Sequence, residues 1–334
     1  MLAFFIYFHL ENKFMGRKAY MQIHKSFLAT TVVLLLSFSE QGLAMEDDLP
    51  ESYSASRPGS PSEMPIEIQA HILSFLDQRD LLRAGGTSKR WRQAAERVWK
   101  NKPLDLSNRC LRQEDYKALS HGPFYSLILT SVQLGAEGAK WIASGNLSGL
   151  TALDLDDNII GAEGAKAIAS GNLSGLTKLN LSSNSIGVEG VKALASGNLL
   201  TLTELDLSYN GIGIEGAKAL ASGNLFALTT LDLDDNSIGT GGVKALASGN
   251  LSGLTALDLD DNSIGAGGAK ALATGNFTGL TELDLGRNRI GDEGAKWLAS
   301  GNLFALTALD LDANRIGDEG KEVLAKNVRL KVFY

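Results

Sequence analysis

The side chains with the most chemistry in this 334-residue chain are carboxylates set at a fixed interval. Asp154, Asp206, Asp232, Asp258, Asp284 and Asp310 form one row, in which Asn180 takes the second place. Asp156, Asp234, Asp260 and Asp312 form another. Calcium would take oxygen ligands of this kind, but it needs a defined ligand loop, and the rows supply none. Catalysis finds little support. No nucleophile stands beside a base, there is no H-E-x-x-H and no phosphate loop, and His9, His24, His71 and His121 are scattered. The lone cysteine, Cys110, builds neither a disulfide nor a metal site by itself. The chain is therefore expected to be non-catalytic, without cofactor or metal. Two readings of the rows remain. They are a face for a basic partner, or a by-product of copying a favourable unit many times.

That unit is visible in what surrounds the carboxylates. Asn158, Asn184, Asn210, Asn236, Asn262, Asn288 and Asn314 follow one another at steps of 26 residues, and self-similarity at a fixed period of this size marks a repeat architecture. Each copy reads L-x-x-L-x-L-x-x-N-x-I-G, then E-G-A-K-A-L-A or a close variant, then S-G-N-L. The alternation Leu153-Asp154-Leu155-Asp156 predicts a strand with the leucines inward and the acids outward. The Asn carries donors and acceptors for a turn that has no ladder of its own. Gly164 to Ala169 reads as a helix whose Ala165, Ile168 and Ala169 face the strands, with Gly171 as its stop. The prolines all lie at or before Pro123, so no repeat contains that helix breaker.

This pattern closely resembles the leucine-rich repeat, in the ribonuclease-inhibitor-like version that pairs each strand with a full helix. The resemblance implies an α/β solenoid over 103–334, a parallel sheet inside and helices outside. Seven full copies start at Leu150, Leu176, Leu202, Leu228, Leu254, Leu280 and Leu306. Worn copies precede them at Leu127-Ile128-Leu129 and at Leu104 to Asn108, and Leu330 to Tyr334 is a candidate closing strand. The carboxylate rows then fall on the concave sheet, and Lys140, Lys166, Lys192, Lys218, Lys244, Lys270 and Lys296 fall on the outer helices as compensating charge. From Thr151 to Tyr334 there are 14 Lys and Arg against 23 Asp and Glu, a net of −9. Like charges one strand apart in water cost on the order of 1 kcal/mol each, so the rows are tolerable and a basic partner would relieve them. Two concave columns differ between copies. In one of them stand Ala152, Lys178, Glu204, Thr230, Ala256, Glu282 and Ala308, and in the other Asp157, Ser183, Tyr209, Asp235, Asp261, Arg287 and Ala313. Tyr209 and Arg287 interrupt the acidic field and are of the types that anchor interfaces. The candidate partner-binding residues are thus Asp154, Lys178, Asp206, Tyr209, Asp232, Asp258, Asp284, Arg287 and Asp310.

Ahead of the repeats the composition changes three times. Phe27 to Phe38 is a short apolar run, preceded by His24 and Lys25 and followed by small residues up to Ala44. Residues 1–44 therefore match a secretory signal peptide cleaved after Ala44, and Met21 is a candidate true start. The run falls short of the ~20 residues of a stable membrane span; the competing reading is an uncleaved anchor. Residues 45–63, rich in Asp, Glu, Ser and Pro, read as a disordered linker. Residues 64–102 carry Pro65, Glu67, Ile68, Ile72, Leu73, Leu76, Asp80, Leu81, Leu82, Ser88, Lys89, Arg90, Trp91 and Trp99 in order. This resembles the F-box, a small all-α module. Met64 and Thr87 replace the usual Leu and Val, and Gly85-Gly86 departs from the pattern.

The F-box resemblance implies docking to the Skp-type adaptor of an SCF ubiquitin ligase, through Met64, Pro65, Ile68, Ile72, Leu76, Leu81 and Leu82. The competing reading is a plain helical cap over the first open repeat. A formal net charge of −7 argues against a general nucleic-acid binder. An F-box is useful only beside eukaryotic ligases, whereas a signal peptide sends a chain out of the cytosol. Together they resemble the GALA-type effectors of plant-pathogenic bacteria. The expectation is an exported substrate-recognition adaptor acting in host cytosol on a target protein of basic character. The alternative is a non-catalytic binding protein of the periplasm or cell surface.

Overall fold

A computed structural model describes Gln93, Arg97 and residues 103–112, 115–116, 119–120, 124–326 and 330–334. The signal peptide, the linker and the F-box contacts Met64, Pro65, Ile68, Ile72, Leu76, Leu81 and Leu82 lie outside the described residues. The chain divides into two compact units, Met1–Lys102 and Pro103–Tyr334. The second unit begins with strands β1 (Leu104–Asp105) and β2 (Ser126–Ile128) and then alternates helix and strand. The helices are α1 (Gly135–Ser144), α2 (Gly161–Ser170), α3 (Gly187–Ser196), α4 (Gly213–Ser222), α5 (Gly239–Ser248), α6 (Gly265–Thr274), α7 (Gly291–Ser300) and α8 (Asp318–Ala325). The interleaved strands are β3 (Ala152–Asp154), β4 (Lys178–Asn180), β5 (Glu204–Asp206), β6 (Thr230–Asp232), β7 (Ala256–Asp258), β8 (Glu282–Asp284), β9 (Ala308–Asp310) and β10 (Lys331–Phe333). All ten pair in parallel and in chain order within one sheet. The expected α/β solenoid is present, and Leu330 to Tyr334 does supply a closing strand.

Each copy hides the same side chains. In the first full repeat Leu153, Leu155, Ile160, Ala165, Ile168 and Ala169 are buried between strand and helix. No single unit encloses them, and stacking supplies the core. The asparagine column binds one repeat to the next. Asn158 Nδ2 donates to the carbonyl oxygens of Leu129 at 2.7 Å, Leu155 at 3.0 Å and Asp156 at 2.9 Å. Its Oδ1 accepts the N–H groups of Val132 at 3.1 Å and Leu134 at 3.0 Å in the preceding copy. The pattern recurs up to Asn314, whose Oδ1 accepts from Asn288 and Ile290. All seven asparagines are buried, and both ends of each side chain have partners. A buried amide is stable only under that condition.

The structure corrects one local expectation and sharpens two others. The helix starts at Gly161 rather than Gly164, because Gly161 takes a left-handed φ of +60° and turns the chain straight into the first helical residues. Gly171 does end the helix as expected, with extended backbone, φ −73° and ψ 174°. It is glycine because a Cβ there would stand 2.7 Å from the Ala143 carbonyl oxygen of the preceding repeat. In the worn first copy, Leu104 pairs with Leu127, so Asn108 falls in register with Ser131 and Arg109 with Val132. Asn108 therefore stands in the turn column and is not part of the asparagine ladder.

Candidate protein-interaction face

The outer face of the sheet carries the carboxylate rows, and the pairing sets them in register. Asp154 stands beside Asn180, Asn180 beside Asp206, and so on through Asp232, Asp258, Asp284 and Asp310. Each has a structural task that the sequence reading missed. The Oδ1 of Asp154 accepts the N–H of Asp156, two residues on, at 3.0 Å. Asp206 does the same for Ser208, Asp232 for Asp234, Asp258 for Asp260, Asp284 for Gly286 and Asp310 for Asp312. Asn180 makes this bond to Ser182 at 2.9 Å without a charge. The turn after each of β3 to β9 thus takes a side-chain oxygen, and a carboxylate is one of two ways to supply it.

The charge is less well solvated than the sequence suggested. Burial, first, and then neighbouring acids push Asp258 up to about 7. Burial likewise raises Asp232 to about 6, with Asp206, Asp234 and Asp284 adding to the rise. Asp154, Asp260 and Asp284 are raised too, again chiefly by burial. Desolvation of this kind favours the neutral acid. Near neutral pH Asp258 is therefore partly protonated.

The candidate anchors are not free. Arg287 pairs through Nη2 with Asp260 and through Nε with Asp261 at 3.5 Å, and its Nη2 lies 4.0 Å from Asp234. Gly286 makes room for this, because a Cβ there would come within 2.7 Å of Asp260 Oδ1. Interaction with the Asp234 carboxylate raises the Tyr209 phenol pKa. Asp234, Asp260 and Arg287 thus form one charged cluster across three repeats, with Tyr209 beside it. Lys178 pairs with Glu204 on the next strand at 2.7 Å. On the outer helices, Lys140, Lys166, Lys192 and Lys218 each pair with a glutamate of their own helix, three residues back, and not with the sheet. The turn column that carries Tyr209 and Arg287 is left-handed throughout, from Asp157 at +52° to Ala313 at +53°. Its N–H groups point along the array: Asp157 donates to Ser182 at 3.1 Å and Tyr209 to Asp234 at 2.9 Å.

Two grooves lie on this face. One, of about 410 Å³, runs from β2 to β6 and includes the Lys178–Glu204 pair. The other, of about 370 Å³, runs from β6 to β10; Asp232, Asp258, Glu282, Asp284 and Asp310 line it, and Phe333 closes its end. Thr230 and Asp232 line both. Among the described residues, no group of His, Cys, Asp and Glu is placed to hold a metal ion. No helix of the described residues is long and apolar enough to cross a membrane. Sequence reasoning also missed a threonine column, in which Thr177, Thr203, Thr229, Thr255, Thr281 and Thr307 each donate Oγ1 to the carbonyl of the preceding threonine. It missed the exposed Leu200, Phe226, Phe304 and Ile159 as well. Their signal was present in the alignment of the copies, where Ser or Thr holds the place of Leu200, Phe226 and Phe304 in the other four.

Two family models match the chain. An F-box-like family model matches residues 62–102. A Leucine Rich repeat model matches seven times, at 148–169, 174–195, 198–221, 226–247, 252–273, 278–299 and 304–325. No curated protein matches the chain. Among solved structures, a leucine-rich repeat-containing protein from Legionella pneumophila is similar at a TM-score of 0.49 and 18% identity, over 68% of this chain and 82% of that one.

Proposed function

We infer, from a chain that belongs to the leucine-rich-repeat proteins and carries an F-box-like segment ahead of its array, a division of labour between two protein-binding modules. The F-box-like segment recruits the Skp-type adaptor of an SCF ubiquitin ligase, through Met64, Pro65, Ile68, Ile72, Leu76, Leu81 and Leu82. The open sheet face holds a target protein. The chain itself performs no chemistry; it brings the target to the ligase. The signal-like Phe27–Phe38 run adds export to this reading, with a bacterial producer and a eukaryotic host cytosol as the place of action. The observation that carries the proposal is the F-box-like match at 62–102 ahead of an array of seven matched repeats from 148 to 325.

A pull-down with purified eukaryotic Skp-type adaptor tests it. Wild type is expected to bind, and the triple variant Pro65→Ala/Ile68→Ala/Leu76→Ala to lose binding. Equal binding by both, or none by either, refutes the adaptor role. Deleting 64–102 sharpens the test. An adaptor-docking module leaves the solenoid folded when removed, whereas a mere cap lowers its melting temperature.

A further inference from the structure

The repeats serve as controls for one another. Four of the seven copies place a small polar residue at the turn leading into the strand, namely Ser148, Ser174, Ser252 and Thr278. The other three place a large apolar residue there: Phe304 stands alone in the last copy, whereas Leu200 and Phe226 are neighbours, four residues ahead of β5 and β6. Both are exposed, at 59% and 63%. Scaffold needs do not explain them, since serine serves the same turn elsewhere. Large apolar groups side by side in water mark an interface. At the opposite edge of the same sheet segment stands Tyr209, three residues after β5 and 51% exposed. Between these edges lie Asp206 and Asp232, adjacent across β5 and β6. Neither forms a salt bridge among the described residues. Thr230 and Asp232, also on this segment, are where the two grooves meet.

We propose that β5 and β6 with their flanking turns are the target footprint, and that it takes an extended peptide segment with a basic centre flanked by apolar side chains. This rests on the sheet face being the target-binding face. Leu200 and Phe226 grip the apolar flank at one edge, Tyr209 packs on the other, and Asp206 and Asp232 receive the basic centre. Charge complementarity selects the centre, and the exposed apolar groups select the flanks.

Fluorescence anisotropy on the full chain tests it with three labelled synthetic peptides. One has an arginine centre between leucine and phenylalanine flanks; the second has a glutamate centre; the third keeps the arginines but has serine flanks. Leu200→Ser/Phe226→Ser restores the residue the other copies carry, so it keeps the fold, which a thermal melt verifies. Asp206→Asn/Asp232→Asn copies Asn180 and keeps the turn bond. The arginine-centred apolar peptide is expected to bind, and each double variant to weaken it about tenfold or more. Phe304→Ser, at a distant repeat, should leave binding unchanged. The glutamate and serine-flanked peptides should bind at least tenfold more weakly than the first. No binding of the first peptide, or binding unaffected by either double variant, overturns the footprint. Adaptor pull-down reads a different module: its loss with peptide binding retained sinks the ligase reading alone, and the converse sinks the footprint alone.

Discussion

Asp258→Asn should make this protein more stable at neutral pH. The carboxylate accepts the Asp260 N–H at 2.9 Å, and Asn180 shows that an amide makes the same bond in the same place. The variant therefore keeps the turn and removes a charge that the fold solvates poorly. The folded pKa of about 7 lies about three units above the ordinary 3.8. At 1.36 kcal/mol per unit the full shift would be worth about 4 kcal/mol. The group is only partly buried, and the solvent it still meets screens the effect, so ~1–2 kcal/mol is the expected gain. The sign follows from proton counting. Between pH 4 and 7 the unfolded chain has lost this proton while the folded chain keeps it. Wild-type stability therefore falls as pH rises through that window and levels off above it. Urea unfolding of wild type and Asp258→Asn at pH 8 and pH 4.5 reads this directly. The variant should exceed wild type at pH 8, and the difference should shrink on acidification. A variant equally or less stable at pH 8, or an advantage that grows in acid, would refute the argument from burial.

Three further substitutions probe the scaffold. Asn236→Ala removes an amide that donates to the Leu207 and Asp234 carbonyls and accepts from the Asn210 and Ile212 N–H groups. Leaving those groups without partners should cost about 4 kcal/mol or more, seen as a large drop in the urea midpoint. Ile159 is β-branched, 72% exposed and held at a left-handed φ of +54°, whereas the equivalent place two copies later is Gly211 at +64°. Ile159→Gly should therefore gain about 1 kcal/mol in a denaturant melt; a loss would show that Ile159 packs usefully. Gly241 stands in α5 where α1 to α4 carry the glutamate that pairs with a lysine three residues on. Gly241→Glu should pair with Lys244 and raise stability by about 1 kcal/mol, through helix propensity and the ion pair together. Calorimetry at low and at molar salt would separate the two parts.

How much of this was legible beforehand follows the physics of repetition. The strands, the helices and the inward leucines are written once in each copy and repeated, so their period reveals them. The asparagine was readable as a turn ligand, because an amide supplies both donors and acceptors. What the sequence hid was mostly the relation between copies. Gly171 was legible as the helix stop, but the reason it must be glycine, the Ala143 carbonyl of the preceding repeat, was not. Arg287 looked like a free anchor but lies against Asp260, one strand earlier. The lysines of α1 to α4 looked like compensation for the sheet, but an i, i+3 glutamate sits on the same helix face and is closer. The raised pKa of Asp258 depends on burial by stacked neighbours, which no single copy displays.

The aspartate rows first suggested a basic partner, or else mere duplication. The turn bond separates the two readings position by position. Wherever an aspartate caps the N–H two residues on, its oxygen is accounted for by the fold, and its charge is a consequence that Asn180 avoids. The array lives with that charge by two means, partial protonation at Asp258 and internal cations at Arg287 and Lys178. A charge explained in this way does not by itself point to a partner. Leu200 and Phe226 have no such account: the turn they occupy is built equally well from serine, and leaving them in water gains the fold nothing. Functional inference on a repeat protein therefore starts from side chains that the neighbouring copies show to be dispensable for the scaffold. Here that narrows the footprint from the whole row, Asp154 to Asp310, to the segment where Asp206 and Asp232 lie between Tyr209 and the Leu200–Phe226 edge.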